Sequence, residues 1–462
     1  MALRLSFYGG VGKVTGSNFL IEGNHEKILV DCGIEQGADF SEENAYAPFP
    51  YDVKTIGALV LTHAHLDHCG RIPRLVREGF RGKIYMTPPT RDLSELILHD
   101  SAHILSENAE RHGLPSLYEE KDVDEMFSLV ETLDYHIEKE IVEGLSIYLR
   151  NTGHILGSAS VRIKDEEGIT LALSGDIGNS PSPLLPDWEP ITDADALVME
   201  STYGDRLHPA QNERVNRLRD ALQRAEARGG TILIPAFSLE RTQLMLYELS
   251  NFFAEASLPQ IPVFLDSPLS IHVTQVYEKW GATYFKPEAE DEMKREGSIF
   301  DFPFLKKTLS REQSEEIDKL VPGPKIIIAG AGMSHGGRIG RWEEKYLPDP
   351  STTLFMVGYQ APGSPGRRIA EGFASVRLNG REVKIRAKIK LLEGWSAHAD
   401  RDELLKFAEA SLPQMKTVFV AMGEPSAERF FAQRIHDYLG ARAIVPEQGQ
   451  TWVITKDVIK KI

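Results

Sequence analysis

Ala58-Leu59-Val60-Leu61-Thr62-His63-Ala64-His65-Leu66-Asp67-His68-Cys69-Gly70 is the stretch of this 462-residue chain whose reading decides its fold. Ala58 to Leu61 is a short apolar run that reads as a buried strand, and Arg71 to Gly79 beyond it reads as helix-like. In an extended segment side chains two apart point the same way, so His63 and His65 can share one ion. If the chain then turns into a helix, Asp67 and His68 sit just beyond and can reach a second ion about 3.5 to 4 Å from the first. Imidazole and carboxylate donors suit zinc, or manganese or iron where carboxylates contribute. Three histidines and an aspartate in six positions after a buried strand are hard to explain as a solvated turn.

Working outward, similar apolar runs recur at Ile28 to Val30, Thr170 to Leu173, Ala196 to Met199, Thr231 to Ile234, Pro262 to Leu265, Lys325 to Ala329, Thr353 to Val357 and Thr417 to Ala421. Each reads as a buried strand. Pro209 to Arg228 and Arg401 to Ser411 carry helix-favouring residues without an internal proline, so the class is α/β or mixed, with helices covering sheets. Lys286 to Leu320 is charge-rich and reads as surface helices and loops. Two further elements can complete a metal site: His154 in Asn151-Thr152-Gly153-His154-Ile155-Leu156-Gly157-Ser158, and Asp176 in Ser174-Gly175-Asp176 after an apolar run. Taken singly, each has a structural reading as well.

The chain holds 52 Lys plus Arg against 68 Asp plus Glu, a formal charge of −16, which excludes a uniformly basic nucleic-acid coat. Half of that charge lies between Leu117 and Glu143, where ten acids face two lysines. From Arg377 to Lys390 the sign reverses to +5, and a polyanion is steered there. At 42% hydrophobic and 26% charged, with no apolar stretch near bilayer length, the composition reads as a globular protein without a membrane partner. Two cysteines, Cys32 and Cys69, and no visible signal peptide lead us to expect a cytoplasmic protein.

Asp31 ending an early strand, His63-x-His65-x-Asp67-His68, then His154, then Asp176, in that order, resemble the metallo-β-lactamase fold family. The remaining motifs resemble its β-CASP nucleases: Glu200-Ser201-Thr202-Tyr203-Gly204-Asp205, Pro235 to Gln243, Asp266-Ser267-Pro268-Leu269, Gly332-Met333 with Gly336-Gly337-Arg338, Gly358 to Gly363, and Ser396-Ala397-His398-Ala399-Asp400. The resemblance covers essentially the whole chain. It is strongest to stand-alone prokaryotic homologues of the nuclease subunit of the cleavage and polyadenylation specificity factor.

The resemblance implies an αββα sandwich over residues 1–206 that returns at 375–462, with an α/β β-CASP cap at 207–374 inserted between. It implies two zinc ions per chain, the first held by His63, His65 and His154, the second by Asp67 and His68, with Asp176 bridging and Asp31 orienting the ligands from behind. Asp67, Glu200 and His398 are then the catalytic set, with Glu200 orienting His398 as general acid. On residues alone, Glu200 also reads as a cap of the Ser-Thr turn and His398 as a partner of Asp400. The implied activity is zinc-dependent hydrolysis of single-stranded RNA by a two-metal activated hydroxide, endonucleolytic with 5′ exonuclease action as an extension. The alternative is a weakly catalytic or non-catalytic RNA-binding subunit of an RNA-processing complex, and a homodimer is compatible with either.

The family usually places a last zinc-ligand histidine after the late strand. This chain has Met422 in Met422-Gly423-Glu424-Pro425, and a thioether binds zinc poorly. A weakened second site and attenuated activity are expected. Val383 to Lys390 alternates apolar and basic, so on one strand Lys384, Arg386, Lys388 and Lys390 share a face. That pattern reads either as a lysine-guarded edge strand or as a guide for RNA phosphates. Arg338, Arg341, Arg367 and Arg368 in glycine-rich loops are further candidate phosphate contacts. The glycines after Ala329 do not match a dinucleotide fingerprint, and His99 with His103 reads better as a solvated face than as a metal pair.

Overall fold

The computed structural model describes residues 2–35, 46–113 (backbone alone at 111 and 112), 115–255, 260–334, 336–358, 360, 363–412 and 417–462. Tyr359, Ala361 and Pro362 of the Gly358 to Gly363 motif lie outside the described residues. The chain divides into two compact units, one from residues up to 207 and from 398 onward, the other from residues 208–397.

The first unit contains two sheets. The eight-stranded sheet runs, in spatial order, β23 (Ile459–Lys461), β22 (Thr451–Ile454), β1 (Leu3–Gly9), β2 (Asn18–Glu22), β3 (Lys27–Val30), β4 (Ala58–Val60), β5 (Lys83–Met86) and β6 (Val130–Thr132). The seven-stranded sheet runs β21 (Arg442–Ile444), β20 (Thr417–Ala421), β11 (Ala196–Glu200), β10 (Thr170–Leu173), β9 (Ala159–Asp165), β8 (Leu145–Asn151) and β7 (Glu138–Val142). The two-residue period of a strand decides which core each side chain joins. Ile28, Val30 and Val60 face Val161, Leu173, Val198 and Phe419 in the core between the sheets. Leu29, Leu59 and Ile84 point the other way.

That outer face is covered by α1 (Leu66–Cys69), α2 (Ile72–Arg77), α3 (Pro88–His112) and α4 (Glu120–Ser128). The helix α3 starts where proline permits and a side chain caps: Thr87 Oγ1 accepts from the Thr90 N–H, with Pro88 and Pro89 in the first turn. On the far face of the second sheet, Leu197, Met199, Val418 and Val420 pack against two further helices, 401–411 and 425–439. The layers are helix, sheet, sheet, helix, the expected αββα sandwich.

The second unit is a parallel sheet of six strands, ordered β14 (Leu305–Lys307), β13 (Val263–Leu265), β15 (Lys325–Ala329), β12 (Thr231–Pro235), β16 (Thr353–Met356) and β19 (Lys388–Leu391). A separate hairpin joins β17 (Ser375–Leu378) to β18 (Arg381–Lys384). Asn379 and Gly380, both at positive φ, make its two-residue turn. The connecting helices are α5 (Gln211–Glu226), α6 (Arg241–Ala254), α7 (Pro268–Tyr284), α8 (Pro287–Glu296), α9 (Arg311–Leu320), α10 (Gly337–Tyr346) and α11 (Pro365–Ala370). The two helices that cover the first unit's second sheet complete the series as α12 (Arg401–Ser411) and α13 (Pro425–Leu439).

Three expectations change. The return to the first unit comes at His398 rather than at residue 375, because β19 pairs with β16 at the edge of the second unit's sheet and Val376, Leu378 and Val383 enter that unit's core. Val383 to Lys390 is not one strand. The backbone leaves β18, Ile385 N–H bonds Ala374, Arg386 and Ala387 N–H both bond the Leu347 carbonyl, and β19 then starts. Lys286 to Leu320 also holds a strand, β14, besides its helices.

Asp266, fully buried, ties the second unit together. Its carboxylate accepts from Thr308 Oγ1 (2.6 Å), Ser314 Oγ, Trp342 Nε1 (2.7 Å) and Arg338 (2.6 Å). Arg338 also donates to the carbonyls of Thr308 and Leu309, so this candidate phosphate contact is occupied internally. Burial pushes the Asp266 carboxyl up, but the bonds from Ser314, Thr308, Arg338 and Trp342 outweigh it and hold the group below the usual carboxylate range. A carboxyl depressed on folding stabilises above its unfolded value near pH 4, and that contribution is lost as pH falls through the folded value. Asp266→Asn is expected to cost about 3 kcal/mol in urea unfolding at pH 7, and the difference from the unsubstituted protein should shrink below about pH 4.

Candidate metal centre

Asp31 ends β3 at φ 61°, a left-handed conformation that aspartate tolerates better than most residues. Its buried carboxylate accepts from Ser17 Oγ (3.1 Å), Thr62 N–H (2.9 Å), Thr62 Oγ1 (3.0 Å) and His68 Nδ1 (2.7 Å). The loop from β4 to α1 is thereby clamped to the end of β3. Thr62 Oγ1 has one proton, which it gives to Asp31, so it accepts from His63 Nδ1–H at 3.0 Å. With Nδ1 of both rings engaged, by Thr62 Oγ1 on His63 and by Asp31 on His68, Nε2 is the nitrogen that each would turn toward a metal.

Asp176 arrives from the second sheet. Gly175, at φ 57°, lets the chain turn there: a Cβ on it would lie 2.9 Å from the Ala159 carbonyl oxygen and 3.1 Å from Thr62 Cβ. His154 comes from the loop between β8 and β9, where its backbone N–H is held by Ser158 Oγ at 3.1 Å.

Four donor atoms converge. His63 Nε2 and His65 Nδ1 are 3.1 Å apart, His154 Nε2 and His65 Nδ1 3.2 Å, and Asp176 Oδ2 is 3.4 Å from both His63 Nε2 and His154 Nε2. Tetrahedral zinc with bonds of about 2.0 to 2.1 Å has ligand–ligand edges of about 3.3 Å. The four residues fit a single tetrahedral cation, and facing lone pairs at these distances call for one. Burial holds His65 well below the usual imidazole range, with His63 adding to it, and burial with His398 does the same for His154, so both are neutral donors.

The second half of the expected set is looser. His68 Nε2 lies 3.4 Å from Asp176 Oδ1, and both atoms are buried without a hydrogen-bond partner. Burial opposes charge on His68, but Asp176 and Asp31 on either side push its pKa well above the ordinary value. The pair is a place that a cation would satisfy. Asp67 neighbours His68 and Asp176 electrostatically and is pushed up by burial, yet it stands outside the compact donor cluster. Met422, at φ 50° and 4% exposed, borders the same pocket as Asp31, His68 and Glu200. Its sulfur packs against Gly10, where a Cβ would come within 2.2 Å of it.

Asp176, Glu200 and His398 form a second cluster. Both Glu200 oxygens lie 3.2 Å from His398 Nδ1, and the same carboxylate accepts from Ile177 N–H (2.6 Å) and Thr202 N–H (3.3 Å). His398 is bound through Nδ1, and its side chain is 16% exposed against 0% for Glu200. The backbone bond from Ala399 N–H to the Ile177 carbonyl seats this histidine against the loop that carries Asp176. Asp400, the competing partner, instead caps α12 through the N–H groups of Asp402 and Glu403.

Three family models match this chain: the metallo-beta-lactamase superfamily domain over residues 20–173, the Beta-Casp domain over 242–369 and the Zn-dependent metallo-hydrolase RNA specificity domain over 382–446. A ribonuclease of Thermus thermophilus, TTHA0252, is 37% identical over 407 residues, covering 88% of this chain and 91% of its own. The chain belongs to the β-CASP branch of the metallo-β-lactamase superfamily. It is a metal-dependent hydrolase. An RNase J-like protein of Methanocaldococcus jannaschii is 32% identical over 96% of this chain and 98% of its own length. The transcription termination factor FttA of Pyrococcus abyssi is 32% identical over 97% and 71%. A crystal structure of a protein of unknown function from Enterococcus faecalis V583 shares the fold, at TM-score 0.56 and 13% identity over 98% of this chain and all of that one. Divalent-metal binding follows from the superfamily and from the converging donors.

The residue that sequence reasoning missed is Thr62. Its one signal was adjacency to His63, and a threonine at a strand end is otherwise unremarkable. Thr62→Val, which keeps shape and loses the hydroxyl, should lower zinc affinity about 10- to 100-fold in chelator competition, while Thr62→Ser should keep it. Equal affinity in all three proteins would rule the role out.

Proposed function

We propose that this β-CASP hydrolase is a zinc ribonuclease that cuts phosphodiester bonds of single-stranded RNA, endonucleolytically and with 5′ exonuclease action. The observation that carries the reading is the convergence of His63, His65, His154 and Asp176 on one point, with the Glu200–His398 pair sharing Asp176. His63 Nε2, His65 Nδ1, His154 Nε2 and Asp176 Oδ2 would hold the first zinc; His68 Nε2, Asp176 Oδ1 and Asp67 would hold the second. Bound zinc supplies Lewis acidity, which activates water near neutral pH and neutralises charge on the scissile phosphate.

The rest of the work falls to the protein. Glu200 fixes the His398 ring through Nδ1, and His398 Nε2 delivers a proton to the departing sugar oxygen. Asp31 and Thr62 hold the imidazoles in the tautomers that expose Nε2. Met422 stands in the sequence where the family usually has its last zinc-ligand histidine, and a thioether is a poor zinc donor, so the second zinc would be held by fewer donors and would exchange more readily.

End-labelled single-stranded RNA, with and without chelator, tests the reading. Cleavage should need metal, and His398→Ala should slow it about 10²- to 10⁴-fold with metal content unchanged. Labelling each end in turn separates endonucleolytic from 5′ exonucleolytic products. RNA binding without chelator-sensitive cleavage would overturn the enzyme and leave the alternative, an RNA-binding subunit. For Met422→His we expect metal analysis after dialysis to rise toward two zincs per chain, with faster cleavage. Two tightly held zincs in the unsubstituted protein, unchanged by the substitution, would refute the second-site part.

A further inference from the structure

Many surface cations of the second unit have a carboxylate beside them. Arg341 has Glu315, Lys345 has Asp318, Arg367 has Glu371 and Arg381 has Glu344. Lys384, Arg386, Lys388 and Lys390 follow one another at every second position, and none of the four is paired with a carboxylate among the described residues. Although β18 and β19 are separate strands, the side-chain alternation runs through the break between them. Val383 and Ala387 are buried, Ile385 and Ile389 pack partly on the core of this unit, and Lys384, Arg386 and Lys388 are exposed, with Lys390 half-buried. Within β19, Lys388 and Lys390 are two residues apart on extended chain and stand about 6.6 Å from each other, a step comparable to that between phosphates of a stretched nucleic-acid strand.

Lysines on a free edge strand often serve only to block aggregation. That purpose does not account for Arg386, which lies between strands on backbone already bonded to Leu347. It also does not account for an exposed aromatic at the same place. Phe373 is 45% exposed with the Arg368 guanidinium 4.8 Å from its ring centre, and its neighbour Ala374 accepts the Ile385 N–H in the middle of the basic run. A line of unneutralised cations next to an exposed ring is the pairing that binds single strands, backbone on the charges and base on the ring.

We propose that Lys384, Arg386, Lys388 and Lys390 form a track for the phosphates of single-stranded RNA and that Phe373, backed by Arg368, stacks a base beside it. The proposal rests on the ribonuclease reading for its ligand. The two parts are separable by measurement, because phosphate contacts are salt-dependent and stacking is not.

Binding of a labelled single-stranded oligoribonucleotide to the full chain, in chelator to prevent cleavage, is measured across a salt series. Replacing the four cations with glutamine should make the slope of log K against log salt shallower by about 3, at roughly 0.7 per contact for single strands. Phe373→Ala should weaken binding about 5-fold or more at every salt concentration and leave the slope unchanged. A control replaces four cations that already have acidic partners one turn away, Arg217, Arg224, Lys294 and Arg311, and should leave the slope alone. Thermal melting confirms that each variant is folded. An unchanged slope in the track variant, or an equal change in the control, overturns the proposal. If RNA is cleaved but the track variant keeps its slope, the track fails and the ribonuclease stands. If the slope changes but no cleavage occurs, the ribonuclease fails and the track stands.

Discussion

One buried carboxylate organises the chemistry of the first unit. Asp31 collects four donors from Ser17, Thr62 and His68, and through Thr62 it also decides which nitrogen His63 turns toward the centre. A carboxylate this deep is tolerable only when its lone pairs are filled. The donors that fill it are the groups whose positions the centre needs. The loop that carries the histidines is therefore held by the same interaction that makes burying Asp31 affordable, and the end of β3, the end of β4 and the start of α1 are tied to one another.

The second sheet meets this clamp at Asp176. One of its oxygens closes the compact donor cluster and approaches His398, while the other faces His68. Burial alone would protonate Asp176, but His68, His398 and His63 outweigh it and keep the carboxyl well below its usual range. The centre is asymmetric. Its tight half has four donors at tetrahedral spacing. Its loose half has His68, one oxygen of Asp176 and the more distant Asp67, and Met422 lines the pocket that His68 shares with Asp31 and Glu200.

The net charge of −16 conceals a division of labour. The acids concentrate in Leu117 to Glu143 of the first unit, where several serve locally, as in the capping box of Glu119 and Asp122 at the start of α4. Many cations of the second unit are neutralised in place, while Lys384, Arg386, Lys388 and Lys390, which follow one another along 384–390, have no carboxylate partner among the described residues. Asp266 shows why position outranks residue type: it takes Arg338 out of the set of free charges, although Arg338 lies in as glycine-rich and loop-like a sequence as any phosphate-binding arginine.

The strands and their faces were legible because they follow from local periodicity. Every apolar run singled out is a strand, and alternate residues of those runs supply the cores. The histidine motif was legible because its spacing places donors on one side of a strand end, whatever the rest of the chain does. The sequence by itself therefore determined the class of fold, the metal chemistry and the family. Only the tertiary structure decided which donors come together, because that depends on chain segments far apart in number: β20 lies beside β11 with Ser201 bonded to Ala421, 220 residues away, and His398 reaches Glu200 across 198. It also decided that residues 375–397 belong with the second unit, that the basic run breaks between two strands, and that Thr62 is part of the centre. Those outcomes turn on which backbone groups and carboxylates find partners at long range, a competition that no local pattern encodes.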